Sequence, residues 1–241
     1  MNVTLDILRF DPETDKNTHR KRYDVTVEPT DRVLDALMHI SRHEDGTLAF
    51  RKSCAHGVCG SDAMRINGKE GLACKTLIRD VAENDGDVIQ LDPLKHMPIQ
   101  KDLMVDQTVF LSKFKAIEPY FKPKNQPPAK GEYLQSAEER AVIDEATKCI
   151  NCGACYSACP VLDDNPDFVG PAALVAAARF VFDSRDEGLK SRLDIIDRPN
   201  AVWSCDNHFE CTKVCPRDIK ITKLINFTKK AIKKHKEGTE A

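Results

Sequence analysis

No stretch of this 241-residue sequence reaches the roughly 18 consecutive apolar residues of a membrane span. The nearest candidate, Ala172 to Phe182, is interrupted by Arg179, so no spanning helix is expected. The opening residues, MNVTLDILRFDPETD, lack the charged-then-apolar pattern of a secretory signal and the Arg- and Ser-rich pattern of a transit peptide. The expected environment is therefore a reducing, intracellular one. A Gly-rich dinucleotide fingerprint and a P-loop are also missing, which removes the common nucleotide-binding readings. Net charge is only -2, and nothing global points to nucleic acid. Charge is unevenly placed, however: from Lys213 onward basic residues far outnumber acids, and such a face meets either a partner or water.

What the chain does have is ten cysteines. In a reducing compartment these are metal ligands before they are disulfides. Their tight bunching in a long chain also argues against a disulfide framework.

The chain length allows one large domain or two small ones, each able to bury a core. Residues 1–105 read as mixed α/β. NVTLDILRF puts Val3, Leu5 and Ile7 on one strand face, and RYDVTVEP does the same with Tyr23, Val25 and Val27. A helix follows, with Asp31 as its expected cap and Val33, Leu34, Leu37, Met38 and Ile40 as its apolar stripe. AMRINGKEGLAC reads as a hairpin turning at Asn67-Gly68, and DVIQLDPL as the strand that closes the sheet. Residues 106–135, rich in proline and lysine, read as a linker or extended surface segment. Residues 136–241 read as helical. Ser136 with Glu139 forms a capping-box pattern, and Gly170-Pro171 opens an alanine-rich core helix. A last amphipathic helix is expected from near Pro216, with Ile219, Leu224, Ile225, Thr228 and Ile232 on one side. Lys220, Lys223, Lys229, Lys230, Lys233 and Lys234 make its other side cationic.

Three cysteine constellations carry the chemistry. The first is Cys54, Cys59 and Cys74, with Asp62 at the place where the plant-type two-iron spacing C-x4-C-x2-C…C has its third cysteine. An ionised carboxylate is a harder oxygen donor that can ligate iron there; otherwise Asp62 is a polar loop residue. Gly57 and Gly60 allow a tight loop that aims backbone N–H groups at sulfur. His56 reads as a supporting or surface residue. The second constellation, Cys149, Cys152, Cys155, Cys159 and Pro160, is C-x2-C-x2-C-x3-C-P without deviation, which fits a cubane better than a structural zinc site. The third, Cys205, Cys211, Cys215 and Pro216, is the same run with His208 at the position of the missing cysteine.

In two-cluster ferredoxins the cysteine before the proline serves the other cluster. Cys215 then completes a four-iron site with Cys149, Cys152 and Cys155. Cys159, Cys205 and Cys211 are left for a three-iron cluster. The alternative is that His208 ligates a fourth iron. All ten cysteines are then used, none remains as a nucleophile, and the chain carries electrons without a bond-making site of its own.

This arrangement resembles the iron–sulfur subunit of succinate dehydrogenase and fumarate reductase, respiratory complex II. The resemblance runs from about Val3 to Lys234 through SCAHGVCGSD, INGKEGLAC, CINCGACYSACP, FVGPAALVAAARFVFDSRD, RLD and VCPRDIKITK. It implies an α+β chain: an N-terminal plant-type ferredoxin (β-grasp) domain followed by an all-α, bacterial-ferredoxin-like two-cluster domain. It also implies [2Fe–2S], [4Fe–4S] and [3Fe–4S] clusters passing electrons from the FAD of a flavoprotein subunit to quinone beside a membrane anchor, with or without haem. The succinate site would lie on the partner subunit. The implied location is peripheral, on the cytoplasmic face of a bacterial inner membrane. Pro160, Trp203 and His208 are the residues of this chain placed nearest the quinone end. Asp164 and Asp206 stand where many ubiquinone-using members carry tryptophan and histidine, and AVWSC looks more like fumarate reductases. The remaining readings are the same role run as a quinol:fumarate reductase, or a free multi-cluster ferredoxin.

Overall fold

Alternating apolar residues build the first sheet. Strand β1 (Asn2–Arg9) buries Val3, Leu5 and Ile7. Strand β2 (His19–Thr26) runs antiparallel to it, with Tyr23 opposite Leu5 and Val25 opposite Val3. The structure, a computed structural model, describes residues 1–123 and 129–239. It divides into two units, Met1–Gln107 with Ile150–Ala158, and Thr108–Cys149 with Cys159–Ala241. Each is described by itself.

In the first unit, helix α1 (Val33–His43) buries Val33, Leu34, Ala36, Leu37 and Ile40, while Met38 is only half-buried. Asp31 is not its cap. The Asp31 carboxylate instead accepts the Glu28 N–H at 2.9 Å, and the Arg32 N–H donates to Asp35 at 3.0 Å to start the helix one residue later. Strands β3 (Ala63–Ile66) and β4 (Lys69–Leu72) form the expected hairpin. Asn67 at φ 49° and Gly68 at φ 79° both take the left-handed conformation that a two-residue I′ turn requires. Strand β5 (Val88–Asp92) does not close the sheet at an edge. It lies in the middle, parallel to β1 and antiparallel to β3, in the order β2-β1-β5-β3-β4. It buries Ile89, Leu91 and Asp92, while Val88 and Gln90 are exposed. A small ribbon of β6 (Ile99–Lys101) and β7 (Met104–Val105) follows.

Two glycines of this unit separate a strained backbone from a crowded one. Gly68 has φ +79° with nothing within 4 Å of an added Cβ. Gly60 has φ +69°, and a Cβ there would stand 2.6 Å from the Cys152 Cβ. Left-handed backbone alone costs an alanine about 1–2 kcal/mol, and overpacking adds about 1–3 kcal/mol. Gly60→Ala should therefore lower stability by about 2–5 kcal/mol and Gly68→Ala by about 1–2 kcal/mol in denaturant titrations of the whole chain. Equal losses would mean that the close approach to Cys152 carries no cost.

The second unit is helical. Helix α2 (Thr108–Ala116), anchored by buried Phe110, occupies part of the stretch expected to be an extended linker. The proline-rich centre of that stretch, 124–128, lies outside the described residues. Helix α3 (Ala137–Thr147) opens on the expected capping box: Ser136 Oγ accepts the Glu139 N–H at 3.2 Å, and Glu139 accepts the Ser136 N–H at 2.8 Å. Two short helices come next in the sequence, α4 (Ala154–Ser157), which belongs to the first unit, and α5 (Val161–Asp164). Helix α6 (Pro171–Val181) follows Gly170 at φ 89°, carries proline in its first turn, and is buried along most of its length. Helix α7 (Leu189–Ile196) carries Arg192, which pairs with Asp186 at 2.6 Å, both side chains fully buried.

After α8 (Glu210–Lys213), the last helix, α9 (Ile221–Thr239), begins five residues later than Pro216 suggests. Asp218 at φ 58° breaks the chain out of helical geometry first. The expected stripe, Ile219, Leu224, Ile225, Thr228 and Ile232, is buried, and α9 packs against α6. Among the described residues no helix is long and apolar enough to cross a membrane.

Candidate iron–sulfur centres

In the first unit, the loop between α1 and β3 brings Cys54 and Cys59 to its outer turn and buries Asp62, and Cys74, just after β4, is buried as well. Gly57 and Gly60 both have positive φ, so the backbone can fold back and aim N–H groups at sulfur. Cys54 Sγ accepts N–H groups from His56 and Cys59, each at 3.3 Å. Those donors and the N–H of Val58 pull the Cys54 thiol down to about 6. Arg32 holds the start of the loop through the Ala55 carbonyl at 3.0 Å. Ser61 Oγ lies 3.2 Å from Cys59 Sγ.

Asp62 is only 2% exposed, and its Oδ2 accepts the Cys74 N–H at 2.5 Å. Burial, followed by the neighbouring Asp62 carboxylate, pushes the Cys74 thiol up to about 12. Two acidic groups held together away from water favour cations between them. His56 is exposed, with its ring against the Cys54 carbonyl, so it supports the loop rather than pointing inward.

Of the cysteines expected at the four-iron site, Cys152 and Cys155 lie buried in the first unit, while Cys149 and Cys215 belong to the second unit. In the second unit, Cys159, Cys205 and Cys211 line one chamber with Pro160, Phe168, Pro171, His208 and Ile225. The cavity itself has a volume of about 20 Å³. Burial raises the Cys159 thiol to about 11 and also raises Cys211, each further raised by neighbouring thiols. Such a pocket resists bare thiolates and suits sulfurs neutralised by bound iron. No disulfide joins any of the ten cysteines. Among the described residues no three His, Cys, Asp or Glu side chains converge round a point as for a single metal ion. A multi-iron cluster, bound through separate corners, asks for wider spacing.

Comparison with known proteins agrees with this layout. The family model for a 2Fe-2S iron-sulfur cluster binding domain matches residues 4–112, and that for a 4Fe-4S dicluster domain matches residues 145–219. The fumarate reductase iron-sulfur subunit of Mycobacterium tuberculosis is 37% identical, over 90% of this chain and 87% of its own. The succinate dehydrogenase iron-sulfur subunit of Coxiella burnetii is 40% identical, over 92% of this chain and 94% of its own. The chain belongs to the succinate dehydrogenase/fumarate reductase iron–sulfur subunit family. A chain of the Mycobacterium smegmatis Sdh1 complex in the apo form has the same fold, with a TM-score of 0.88, 28% identity, and coverage of 98% of this chain and 97% of that one.

Within this family member, the residues expected nearest the quinone end separate. Pro160 and His208 line the chamber, with His208 exposed at its edge, and Asp206 lies beside them. Trp203 is not among the lining residues. Its Nε1 donates to Asp197 at 2.7 Å, and the ammonium groups of Lys229 and Lys233 each lie 5.9 Å from its ring.

Lys229 is not part of the cationic outer side either: it donates to the Cys205 carbonyl at 2.7 Å. Asn226 likewise donates to Asn207 at 3.0 Å. These two α9 side chains hold the loop that carries Cys205. Their roles were missed because, in a helical repeat, Lys and Asn read as solvent-facing residues.

Proposed function

We propose that this chain is the iron–sulfur electron-transfer subunit of a membrane-associated succinate:quinone oxidoreductase, working between an FAD-bearing flavoprotein subunit and quinone at an anchor subunit. Cys54, Cys59, Asp62 and Cys74 would hold the [2Fe–2S] cluster. Cys149, Cys152, Cys155 and Cys215 would hold the [4Fe–4S] cluster, and Cys159, Cys205 and Cys211 the [3Fe–4S] cluster. When bound, these clusters take up and release electrons one at a time, so a two-electron oxidation at flavin can be matched to a two-electron reduction of quinone. The single observation that carries the reading is the chamber lined by three cysteines and, where the third motif lacks its second cysteine, by a histidine on its edge.

The residues of this chain do the positioning. Backbone N–H groups of the first loop stabilise anionic sulfur at Cys54. Burial of Cys159 and Cys211 keeps water from the third site. Pro160 and His208 present a surface at its edge on which quinone can approach. Lys220, Lys223, Lys230, Lys233 and Lys234 are exposed on or just before α9. They give a cationic face that favours the anionic cytoplasmic leaflet of a bacterial inner membrane, where lysines contribute about 1 kcal/mol each. Relatives named for succinate dehydrogenase and for fumarate reductase are both expected, since the same thiolate sites serve either direction.

The test is cluster content with partners attached. Anaerobically purified protein should hold about nine irons per chain, and give a three-iron EPR signal when oxidised and a two-iron signal on mild reduction. Succinate should reduce the two-iron centre when a flavoprotein co-purifies. Zinc in place of iron, or clusters that succinate cannot reach in the complex, would overturn the proposal.

A further inference from the structure

Thr222 stands in the first turn of α9 and is 1% exposed, yet none of the three cysteine motifs includes it. It lines the chamber of Cys159, Cys205 and Cys211. Its Oγ1 lies 3.7 Å from Cys211 Sγ and 3.1 Å from Thr212 Oγ1. Thr212 Oγ1 in turn accepts the Thr222 backbone N–H at 3.1 Å. A buried hydroxyl between a sulfur and a second hydroxyl has few ways to direct its one proton.

The geometry points to Thr222 as a positioning residue that sets the reduction potential of the third cluster, by donating its hydroxyl hydrogen to the Cys211 sulfur. This rests on the reading of that chamber as an iron–sulfur site. Ligation fixes the direction of the bond. A cysteine bound to iron has no S–H left, so its sulfur can only accept. Thr222 then gives its O–H to sulfur, and Thr212, already accepting the Thr222 N–H, gives its own O–H to Thr222 Oγ1. Every donor in the short chain has an acceptor, and each bond polarises the next. Water competes poorly because Cys211 is buried, whereas Ser61 beside exposed Cys59 has water as a rival.

The consequence is electrostatic. Adding an electron to the cluster raises the negative charge on its sulfur ligands. A donor aimed at one of them stabilises the reduced state more than the oxidised one. Thr222 therefore raises the potential of the centre from which quinone would be reduced.

The experiment uses the intact complex and follows the three-iron EPR signal in a redox titration. Thr222→Val keeps the side-chain shape and removes the donor. It should lower the equilibrium constant for reducing that cluster about tenfold, which is about 59 mV for one electron. The two-iron midpoint should not move. Thr222→Ser restores the hydroxyl and should return the midpoint to within about twofold of wild type in equilibrium constant, or about 18 mV. If the branched valine disturbs assembly, Thr222→Ala removes atoms only and should show the same fall.

Pulsed EPR of the wild type after long exchange into D2O should also show a deuteron coupled to the three-iron centre that Thr222→Ser retains and the donor-free variants lose. A full-intensity three-iron signal with an unmoved midpoint in Thr222→Val or Thr222→Ala overturns the inference. So does a wild type without that deuteron coupling. Absence of any three-iron signal in anaerobic wild type would instead refute the reading of the chamber on which it rests.

Discussion

Asp62→Ala is expected to strip the first site of its two-iron cluster, while Asp62→Cys keeps it. Asp62 is buried, and its carboxylate accepts the backbone N–H of Cys74, which would supply another of the four proposed donors. Removing a residue that merely supports a metal ligand costs about 10–100-fold in metal affinity. Removing a ligand from a four-donor set costs more, and alanine leaves no oxygen or sulfur in its place. The measurements are iron per chain, which should fall by about two, and loss of the two-iron EPR signal on mild reduction.

Asp62→Asn separates the two roles of the carboxylate. Its side-chain oxygen can still accept the Cys74 N–H, but it lacks the anionic charge that suits iron. If Asp62 ligates, the asparagine variant should behave like alanine. A normal two-iron spectrum in Asp62→Asn or Asp62→Ala would reduce Asp62 to a cap on the Cys74 backbone.

His208→Cys should convert the third centre from three irons to four. The third motif differs from the second only by this missing thiol, and His208 lies on the edge of the chamber with Cys159, Cys205 and Cys211. The side chain is exposed, so substitution there disturbs no core packing. A fourth thiolate would offer the open corner of the proposed three-iron cluster a ligand and add negative charge, which lowers the potential. The expected result is loss of the three-iron EPR signal, a lower midpoint, and slower quinone reduction, with succinate oxidation by the flavoprotein intact. If His208 itself ligates, anaerobic wild type would lack the three-iron signal and Mössbauer spectra would show about eight cubane irons per chain.

The first unit was legible wherever one residue type dictates local geometry. Strand faces followed from alternation at Val3, Leu5 and Ile7, and the I′ turn from Asn67-Gly68, because few other pairs accept two left-handed residues. Ser136 and Pro171 marked helix starts for equally local reasons. What failed to read out depended on distant partners. Asp31 has the chemistry of a cap, but Glu28 competes for its carboxylate. The central place of β5 follows from pairing with β1, more than eighty residues earlier, as in Thr4 opposite Val88. Within the candidate site, cysteine spacing exposed the candidate sulfur donors, while Thr222 remained hidden because its role arises only when α9 folds against α8, which carries Cys211.

The Lys229 and Asn226 tethers give α9 a second meaning. They tie the loop around Cys205 to the same helix that carries Thr222 and packs on α6. Local opening of a single helix costs less free energy than global unfolding. Each time α9 lifts away, it would release the loop and let dissolved oxygen reach sulfur that is otherwise buried. The lifetime in air of a cluster bound there would thus be tied to the opening rate of one helix, and slow amide exchange along Leu224 to Ile232 would track a long-lived cluster.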